Sequence, residues 1–323
     1  MSQNTHRIGW IGMGRMGTPM AEWLLKSGYD VSLWNRTKSK AEPLEKKGAK
    51  LVDAPSDLAG VDIIFTMVST GKDLKQVYFG ENGVASKGKG KTPKIFVDCS
   101  SIGVEDSQAI REQLGELGAQ FLAVPVSGNG KCVKASKLSA VASGPKAAYD
   151  TAKPYIDAFA RAGTSYVGEG ELARICKIAH NVMLGVVIQN LAEITILAQK
   201  HGVPRHAFLE FMNNSVMGST FTRYKSNSLI NLDWTTTFTT ELLLKDMDLG
   251  LGAGRKHHVP MPVTVAAREA IQNHVGAASI KPDPKAYLEE DFAALLETHA
   301  LLSGLKLSSE GVPVPTGLEV DGH

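Results

Sequence analysis

An α/β domain followed by an all-helical one is the fold class that the sequence predicts. Three observations predict it. Short apolar runs alternate with helical stretches up to residue 167, the pattern of a parallel sheet with crossover helices. A turn of the form Gly-x-Gly-x-x-Gly stands at residues 12–17, directly behind the first run. From Gly168 onward every segment has helical periodicity, and the first of them, reaching His201, contains the most apolar stretch of the chain. The expected boundaries are therefore 1–167 for the first domain, 168–305 for the second and 306–323 for a tail.

Residues 7–11 are an apolar run that predicts a buried strand, and residues 18–26 predict a helix closed by Ser27 and Gly28. Between them stand Gly12, Met13, Gly14, Arg15, Met16 and Gly17. Strand, glycine turn and helix in that order give the motif its meaning, because the glycines allow a tight turn and close approach of a pyrophosphate to the helix N-terminus. Residues 30–34 predict the second strand. An NAD site places an acid at its end for the ribose 2′-hydroxyl. Here the strand ends in Asn35, Arg36 and Thr37. A guanidinium there suits a 2′-phosphate, so NADP is preferred and NAD remains possible. The alternative is that Arg36 stacks on adenine and either cofactor is accepted.

Residues 61–68 predict a third strand that leads through Met67 and Val68 into Ser69. Residues 94–98 predict a fourth, leading through Cys99 to Ser101. Both ends are expected to open onto the dinucleotide crevice. Helices are expected over 72–79 and 104–117, and the lysine-rich stretch 86–94 reads as a solvated turn. A strand over 120–124 precedes Pro125, Val126, Ser127, Gly128 and Asn129. Residues 139–143 and 165–167 should finish the sheet around a helix over 145–162.

The next stretch is read as one helix between Gly168 and Gly202, apolar on more than one face. Lys177 and Asn181 lie four residues apart and so share a face, with His180 near it. Lysine is costly to bury, so this one should face a cleft or a partner, or else snorkel out of a core helix. Further helices are expected over 205–213, 220–226, 239–257, 263–275 and 288–302. Residues 308–323, rich in Pro and Gly, read as a frayed tail.

The composition excludes several classes. The 323 residues suffice for two domains with a sizeable core. Lys and Arg number 35 against 33 Asp and Glu, a net charge of +2, which argues against a nucleic-acid or membrane-surface protein. Cys99, Cys132 and Cys176 have neither metal-ligand spacing nor an even count, which fits a reducing, cytoplasmic setting. Residues 1–7 contain no apolar segment of a secretory signal. Gln189, Asn190 and Glu193 interrupt the apolar run 182–197, so it is not read as a membrane span. His257 and His258 lack a carboxylate at metal-site spacing and read as a helix end; no metal is expected.

Four pieces then line up in order: the glycine turn with Thr18, Pro19, Met20 and Ala21; Pro125 to Gly128; Lys177 with Asn181; and Leu244, Lys245, Asp246 and Met247. Together they resemble the β-hydroxyacid dehydrogenase family, which includes 3-hydroxyisobutyrate dehydrogenases and glyoxylate/succinic semialdehyde reductases. The resemblance implies a Rossmann-type domain, then an all-α domain joined to it by one long helix, and a homodimer or homotetramer. It implies a hydride exchange between NAD(P) and a small carboxylate-bearing substrate, interconverting a 3-hydroxy acid and its semialdehyde. It places the acid/base on Lys177, a substrate-binding asparagine on Asn181 and a cofactor-contacting lysine on Lys245. It also places a substrate-anchoring loop on Ser127, Gly128 and Asn129, and a hydroxyl near the nicotinamide on Ser101. The chain departs from the family pattern at Ala123, Asn129, His180 and over 131–137, all near the substrate pocket.

A base must take the alcohol proton in oxidation, and an acid must return it in reduction. Lys177 suits the role if burial and the charge of Lys245 lower its pKa. Backbone N–H groups over 127–129 can nest a carboxylate. His180 either relays a proton or forms a polar wall, and Lys131, Lys134 and Lys137 form either a basic rim for an acidic substrate or a solvated face. Two other functions share this architecture: an imine reductase-like enzyme, against which Lys177 argues, and a non-catalytic NADP-binding oligomerisation module.

Overall fold

The computed structural model describes residues 6–319, and the chain divides into two compact units, Met1–Lys177 and Ile178–His323. The expectation of no secretory signal over residues 1–7 rests mostly on residues that lie outside those described, as do residues 320–323 of the tail. The division falls inside the long helix, whereas the sequence reading put it ahead of that helix.

In the first unit, β1 (Ile8–Ile11) passes through the glycine turn into α1 (Gly17–Lys26) and returns in β2 (Val31–Trp34). A short helix α2 (Glu42–Glu45) leads to a two-residue strand β3 (Lys50–Leu51). Then follow β4 (Ile63–Thr66), α3 (Gly71–Phe79), β5 (Ile95–Asp98), α4 (Val104–Glu116) and β6 (Gln120–Ala123). They form one six-stranded sheet in the order β3-β2-β1-β4-β5-β6, with every pairing parallel. Every residue of β1, β4 and β5 is buried, as a parallel sheet covered on both faces requires. Alternate side chains feed two cores: Trp10 and Phe65 stack in one, with Phe159 edge-on to both, while Ile11, Ile64 and Phe96 fill the other.

Residues 139–143 and 165–167 do not finish that sheet. β6 runs through Val124 and Pro125 straight into β7 (Val126–Ser127), with no crossover helix that could return a parallel neighbour. After α5 (Gly130–Lys134), β7 pairs antiparallel with β8 (Ser139–Ala142). Beyond α6 (Lys146–Phe159), β8 pairs parallel with β9 (Gly163–Tyr166), making a separate three-stranded sheet. An isolated antiparallel bridge, Ala123 to Ser143, links the two sheets.

The long helix α7 (Leu172–Lys200) leads into the second unit. It is long and apolar enough to cross a membrane by length and composition, and half of its most apolar window is buried inside the protein. Its Ile188, Leu191, Ala192 and Ile196 belong to the core of the helical unit. That unit continues through α8 (Arg205–Asn214), α9 (Thr220–Asn231), α10 (Thr240–Lys256), α11 (Pro262–Ala277), α12 (Pro284–Glu289) and α13 (Leu295–Leu302). Where one helix is expected over 288–302, the chain breaks at Glu290 and Asp291. Asp291 is wholly buried, pairs with Lys225 of α9 and caps a short turn at Phe292–Ala294. Satisfying that buried carboxylate outweighs continuing the helix.

The expected frayed tail is also corrected as far as residue 319. Leu305, Leu307, Val312 and Val314 pack against the helical core, and Leu318 is buried. Glu310 accepts from the backbone N–H groups of Arg205 and His206 at 2.9 Å each, closing the N-terminus of α8, which starts behind Pro204 without a side-chain cap of its own. The Asn231 amide bonds the Val312 carbonyl. Proline and glycine here shape an extended strap rather than a loose end.

Candidate active site

The parallel sheet delivers the ends of β1, β2, β4 and β5 to one edge, and the strand order reverses between β1 and β4. That is where open α/β sheets bind ligands. Gly12 has φ +101°, and a Cβ on it would stand 2.1 Å from the Met67 carbonyl oxygen; one on Gly17 would stand 1.9 Å from the carbonyl of Gly12. Both positions require glycine, and Trp10 Nε1 fastens the turn by donating to the Gly12 oxygen at 3.1 Å. A Cβ on Gly14, by contrast, would meet nothing within 4 Å. The helix behind has no acidic residue in its first turn and no side-chain cap. An open glycine face before an uncapped helix N-terminus fits a dinucleotide pyrophosphate.

Asn35 holds this turn in place. Its Oδ1 accepts from Met13 N–H at 2.8 Å, and its Nδ2 donates to the Thr37 carbonyl at 2.7 Å. Arg36 is 86 % exposed in its side chain, with Nη1 3.6 Å from Asp73 at the start of α3. Thr37 is exposed, as are Arg15, Ser69 and Ser101, while Met16 in the glycine turn and Met67 and Val68 behind β4 are half-buried. The loop after β7 lies beside the glycine turn, since a Cβ on Gly130 would stand 2.7 Å from the Arg15 carbonyl oxygen. Ser127 is half-buried there and Gly128 exposed. The Asn129 side chain is committed to its own helix: Oδ1 accepts from Lys131 and Cys132 N–H at 2.9 and 3.0 Å, capping α5. Lys131, Lys134 and Lys137 are all exposed.

The start of α7 is bound tightly to this unit. Arg174, 1 % exposed, places Nη2 2.5 Å from Asp98 Oδ2 and Nη1 2.5 Å from the Ser100 carbonyl, and its Nε donates to Ser107 Oγ at 3.1 Å. Asp98 Oδ1 accepts the Ser100 hydroxyl at 2.7 Å, and Ser100 Oγ in turn accepts from Val68 N–H at 2.9 Å. Burial, and then the charge of Asp98, push the neighbouring Cys99 thiol well up, so it stays protonated and unreactive. Lys177 follows Arg174 by three residues and is half-buried.

Asn181, four residues after Lys177, lies in the second unit. It is 6 % exposed, donates from Nδ2 to Asp246 Oδ2 at 2.6 Å, and has Oδ1 2.9 Å from Nδ1 of His180. The meeting with Asp246 depends on how closely α7 and α10 cross. A Cβ on Gly185 would stand 2.5 Å from Met247 Sδ, and one on Gly250 2.2 Å from Val182. Two glycines, each costing roughly 0.5–1 kcal/mol in a helix interior, let the backbones approach. Lys245 lies 3.8 Å from Asp246 Oδ1 and lines an open groove of about 560 Å³ with Leu244, Asp248, Leu249 and Arg268.

Sequence reasoning assigned no role to Asp246 or to the Asp98–Arg174 pair. Asp246 could have been found, because it follows Lys245 within a motif already singled out. The pair joins residues 76 apart, and nothing local announces it.

Comparison with known proteins identifies the family and agrees with the fold. The NAD binding domain of 6-phosphogluconate dehydrogenase matches residues 7–168, and the NAD-binding region of NADP-dependent 3-hydroxyisobutyrate dehydrogenase matches residues 171–289. Glyoxylate/succinic semialdehyde reductase 2, chloroplastic, of Arabidopsis thaliana is 33% identical over 91% of this chain and 79% of its own. The crystal structure of 3-hydroxyisobutyrate dehydrogenase from Salmonella typhimurium aligns with a TM-score of 0.77 at 22% identity, covering 90% of this chain and 99% of that one. An imine reductase from Myxococcus stipitatus in complex with NADP+ aligns with a TM-score of 0.57 at 24% identity, covering 90% and 99%. At such identities the structural likenesses are likenesses of fold.

Proposed function

Because the chain belongs to the 3-hydroxyisobutyrate dehydrogenase family of nicotinamide-dependent oxidoreductases, we propose that it interconverts a small 3-hydroxy acid and its semialdehyde, with NADP preferred over NAD. The bound nicotinamide supplies or accepts the hydride. Lys177 protonates the aldehyde oxygen in reduction and takes the alcohol proton in oxidation. Asn181 orients the substrate oxygen. The backbone N–H groups over 127–129, with the Ser127 hydroxyl, hold the carboxylate; the Asn129 side chain does not, since it caps α5. Lys245 contacts the cofactor, and the exposed guanidinium of Arg36 receives the 2′-phosphate.

The observation that carries this reading is the clamped Asn181. Held at one end by Asp246 and at the other by His180, its amide is fixed in orientation four residues after a half-buried lysine. Fixed orientation is what a substrate-positioning group needs. Turnover of methylmalonate semialdehyde, whose reduction gives a 3-hydroxy acid, with NADPH and NADH tests the reading directly. The relatives named above add succinic semialdehyde and glyoxylate, which give a 4-hydroxy and a 2-hydroxy acid; turnover of these alone would overturn the 3-hydroxy assignment. Esterified counterparts should lose kcat/KM by orders of magnitude, and equal efficiency on ester and acid would remove the carboxylate anchor from the account.

The same reading includes self-association. Met183 and Leu197, large apolar residues of α7, are 68 and 58 % exposed, and Leu301 and Leu302 are exposed as well. A second copy of the chain covers them. Light scattering should give a mass of at least a dimer; a monomer mass independent of concentration refutes this.

A further inference from the structure

The first turn of α7 carries more buried charge than a helix start needs. Arg111 of α4 reaches Glu171 Oε1 at 2.6 Å and the Gly170 carbonyl at 2.7 Å just ahead of it. Ser143 Oγ accepts from Ala173 N–H at 3.0 Å. These contacts already fasten the helix. Arg174 and Asp98 add an ion pair that is 1 and 0 % exposed. Removing each ion from water costs several kcal/mol, and apolar replacements of such pairs are often neutral or stabilising. Stability alone therefore gives this pair no purpose.

What the pair joins is more specific. Asp98 ends β5, and its carboxylate takes the Ser100 hydroxyl, one residue before Ser101. Ser100 Oγ takes the N–H of Val68, between Met67 and Ser69 at the end of β4. Arg174 stands three residues before Lys177. One connected set of hydrogen bonds thus runs from both cofactor-facing strand ends to the helical turn that carries the acid/base.

We propose that Asp98 and Arg174 are positioning residues for the reaction assigned above, clamping the Lys177 turn to the ends of β4 and β5. The proposal rests on the Lys177 reading. A proton donor misplaced by about 1 Å costs on the order of 10²-fold in rate, so the clamp acts on kcat. Arginine is required because its planar fork spans three acceptors: a carboxylate, a carbonyl and the Ser107 hydroxyl. Lysine keeps the charge that neutralises Asp98 but concentrates its donors at one point and cannot span them.

The experiment is a double-mutant cycle on the full chain, using the semialdehyde that turns over best with NADPH. Arg174→Lys should lower kcat about 10- to 100-fold, with the KM for aldehyde and the NADPH Kd, read by nicotinamide fluorescence, each within about threefold. In a Lys177→Ala background the same change should cost nothing further, because the residue through which it acts is gone. Hydrogen exchange of a peptide over 172–177 should quicken in Arg174→Lys. If Arg174→Lys folds poorly, Asp98→Asn, which keeps the shape and one acceptor oxygen, should show the same kcat loss and the same non-additivity. Near-normal kcat in Arg174→Lys, equal losses in both backgrounds, or a kcat loss matched by the rise in NADPH Kd each overturns the clamp. Full turnover in Lys177→Ala itself overturns the Lys177 reading and the clamp together, whereas an impaired Lys177→Ala beside a normal Arg174→Lys overturns the clamp alone.

Discussion

Two buried ion pairs, one in each unit, are equally enclosed: Asp98 with Arg174, and Asp291 with Lys225, the carboxylates 0 % and the cations 1 % exposed. Their surroundings differ. Asp291 accepts from Lys225 at 2.5 Å, from the Thr237 N–H and hydroxyl at 2.8 and 2.7 Å, and from Ala293 N–H at 3.0 Å. Lys225 sits 4.3 Å above the Phe292 ring. Those groups bond one another: the ammonium also donates to the Thr237 hydroxyl at 2.9 Å, and Thr237 and Ala293 both donate to the carboxylate. Asp98 and Arg174 instead hand their bonds on, through Ser100 to Val68 and along the helix toward Lys177. Burial of a charge does not mark function; the identity of what the charge holds does.

The largest expected effect falls on the helical pair. Asp291→Ala leaves the Lys225 ammonium buried without its carboxylate, which costs about 3–5 kcal/mol. Urea unfolding should show that loss, while kcat per folded molecule and the NADPH Kd stay unchanged. A proportionate fall in kcat would erase the distinction between the two pairs.

A buried histidine gives the helical unit a pH handle. His274 is 1 % exposed, with Nδ1 2.7 Å from the Tyr287 hydroxyl and 2.9 Å from Thr298 Oγ1. Burial first, and then the charges of Lys281 and His299, lower its pKa from 6.5 to about 4. A depressed value means that the fold prefers the neutral ring. The stability this contributes is present in full above pH 6.5 and is lost as pH falls toward 4. The loss is on the order of 3 kcal/mol. Urea midpoints at pH 7, 6 and 5 should fall in the wild type and much less in His274→Gln; parallel slopes would place the titration elsewhere.

On the side of the other pair, Lys177→Ala should lower kcat by at least ~10²-fold with cofactor affinity and unfolding midpoint nearly intact. Near-normal turnover would leave Arg174 with nothing to position.

The smallest effect is on cofactor choice. A charge-assisted bond from Arg36 to a 2′-phosphate is worth ~1.5–3 kcal/mol, or roughly ten- to 150-fold in affinity. The guanidinium is exposed and already faces Asp73 at 3.6 Å, so the preference for NADPH should lie at the low end and shrink with salt. Arg36→Leu should remove it, and Asp73→Asn should enlarge it. Equal losses of kcat/KM for NADH and NADPH in Arg36→Leu would make Arg36 an adenine-stacking residue.

The α/β unit was legible where local rules decide. Apolar runs gave the strands at β1, β2, β4, β5 and β6 within one or two residues, and the glycine turn gave their common edge. The second sheet was not, because two-residue β7 leaves no periodicity and follows β6 with no crossover helix between them. In the helical unit the elements were legible, but not the break at Asp291, whose cause lies on α9, 66 residues away. The candidate site divides the same way. Spacing along a helix puts Lys177 and Asn181 on one face, and their candidate roles come from the family resemblance that four motifs carry together. Their holders, Asp246 and the Asp98–Arg174 pair, come from distant segments and are found only in the fold.

The strap that closes α8 has a consequence in time. Arg205 and His206 receive their backbone acceptor from Glu310, 105 and 104 residues later. A ribosome adding about 5–20 residues per second needs roughly 5–20 s to cover that interval. Throughout it the α/β unit has all its strands, while the helical unit lacks Glu310 and, until residue 291 is added, Asp291 as well. The nascent chain therefore emerges with its second half exposed and unlatched, and that half is the part to follow when yield depends on chaperones or on growth temperature.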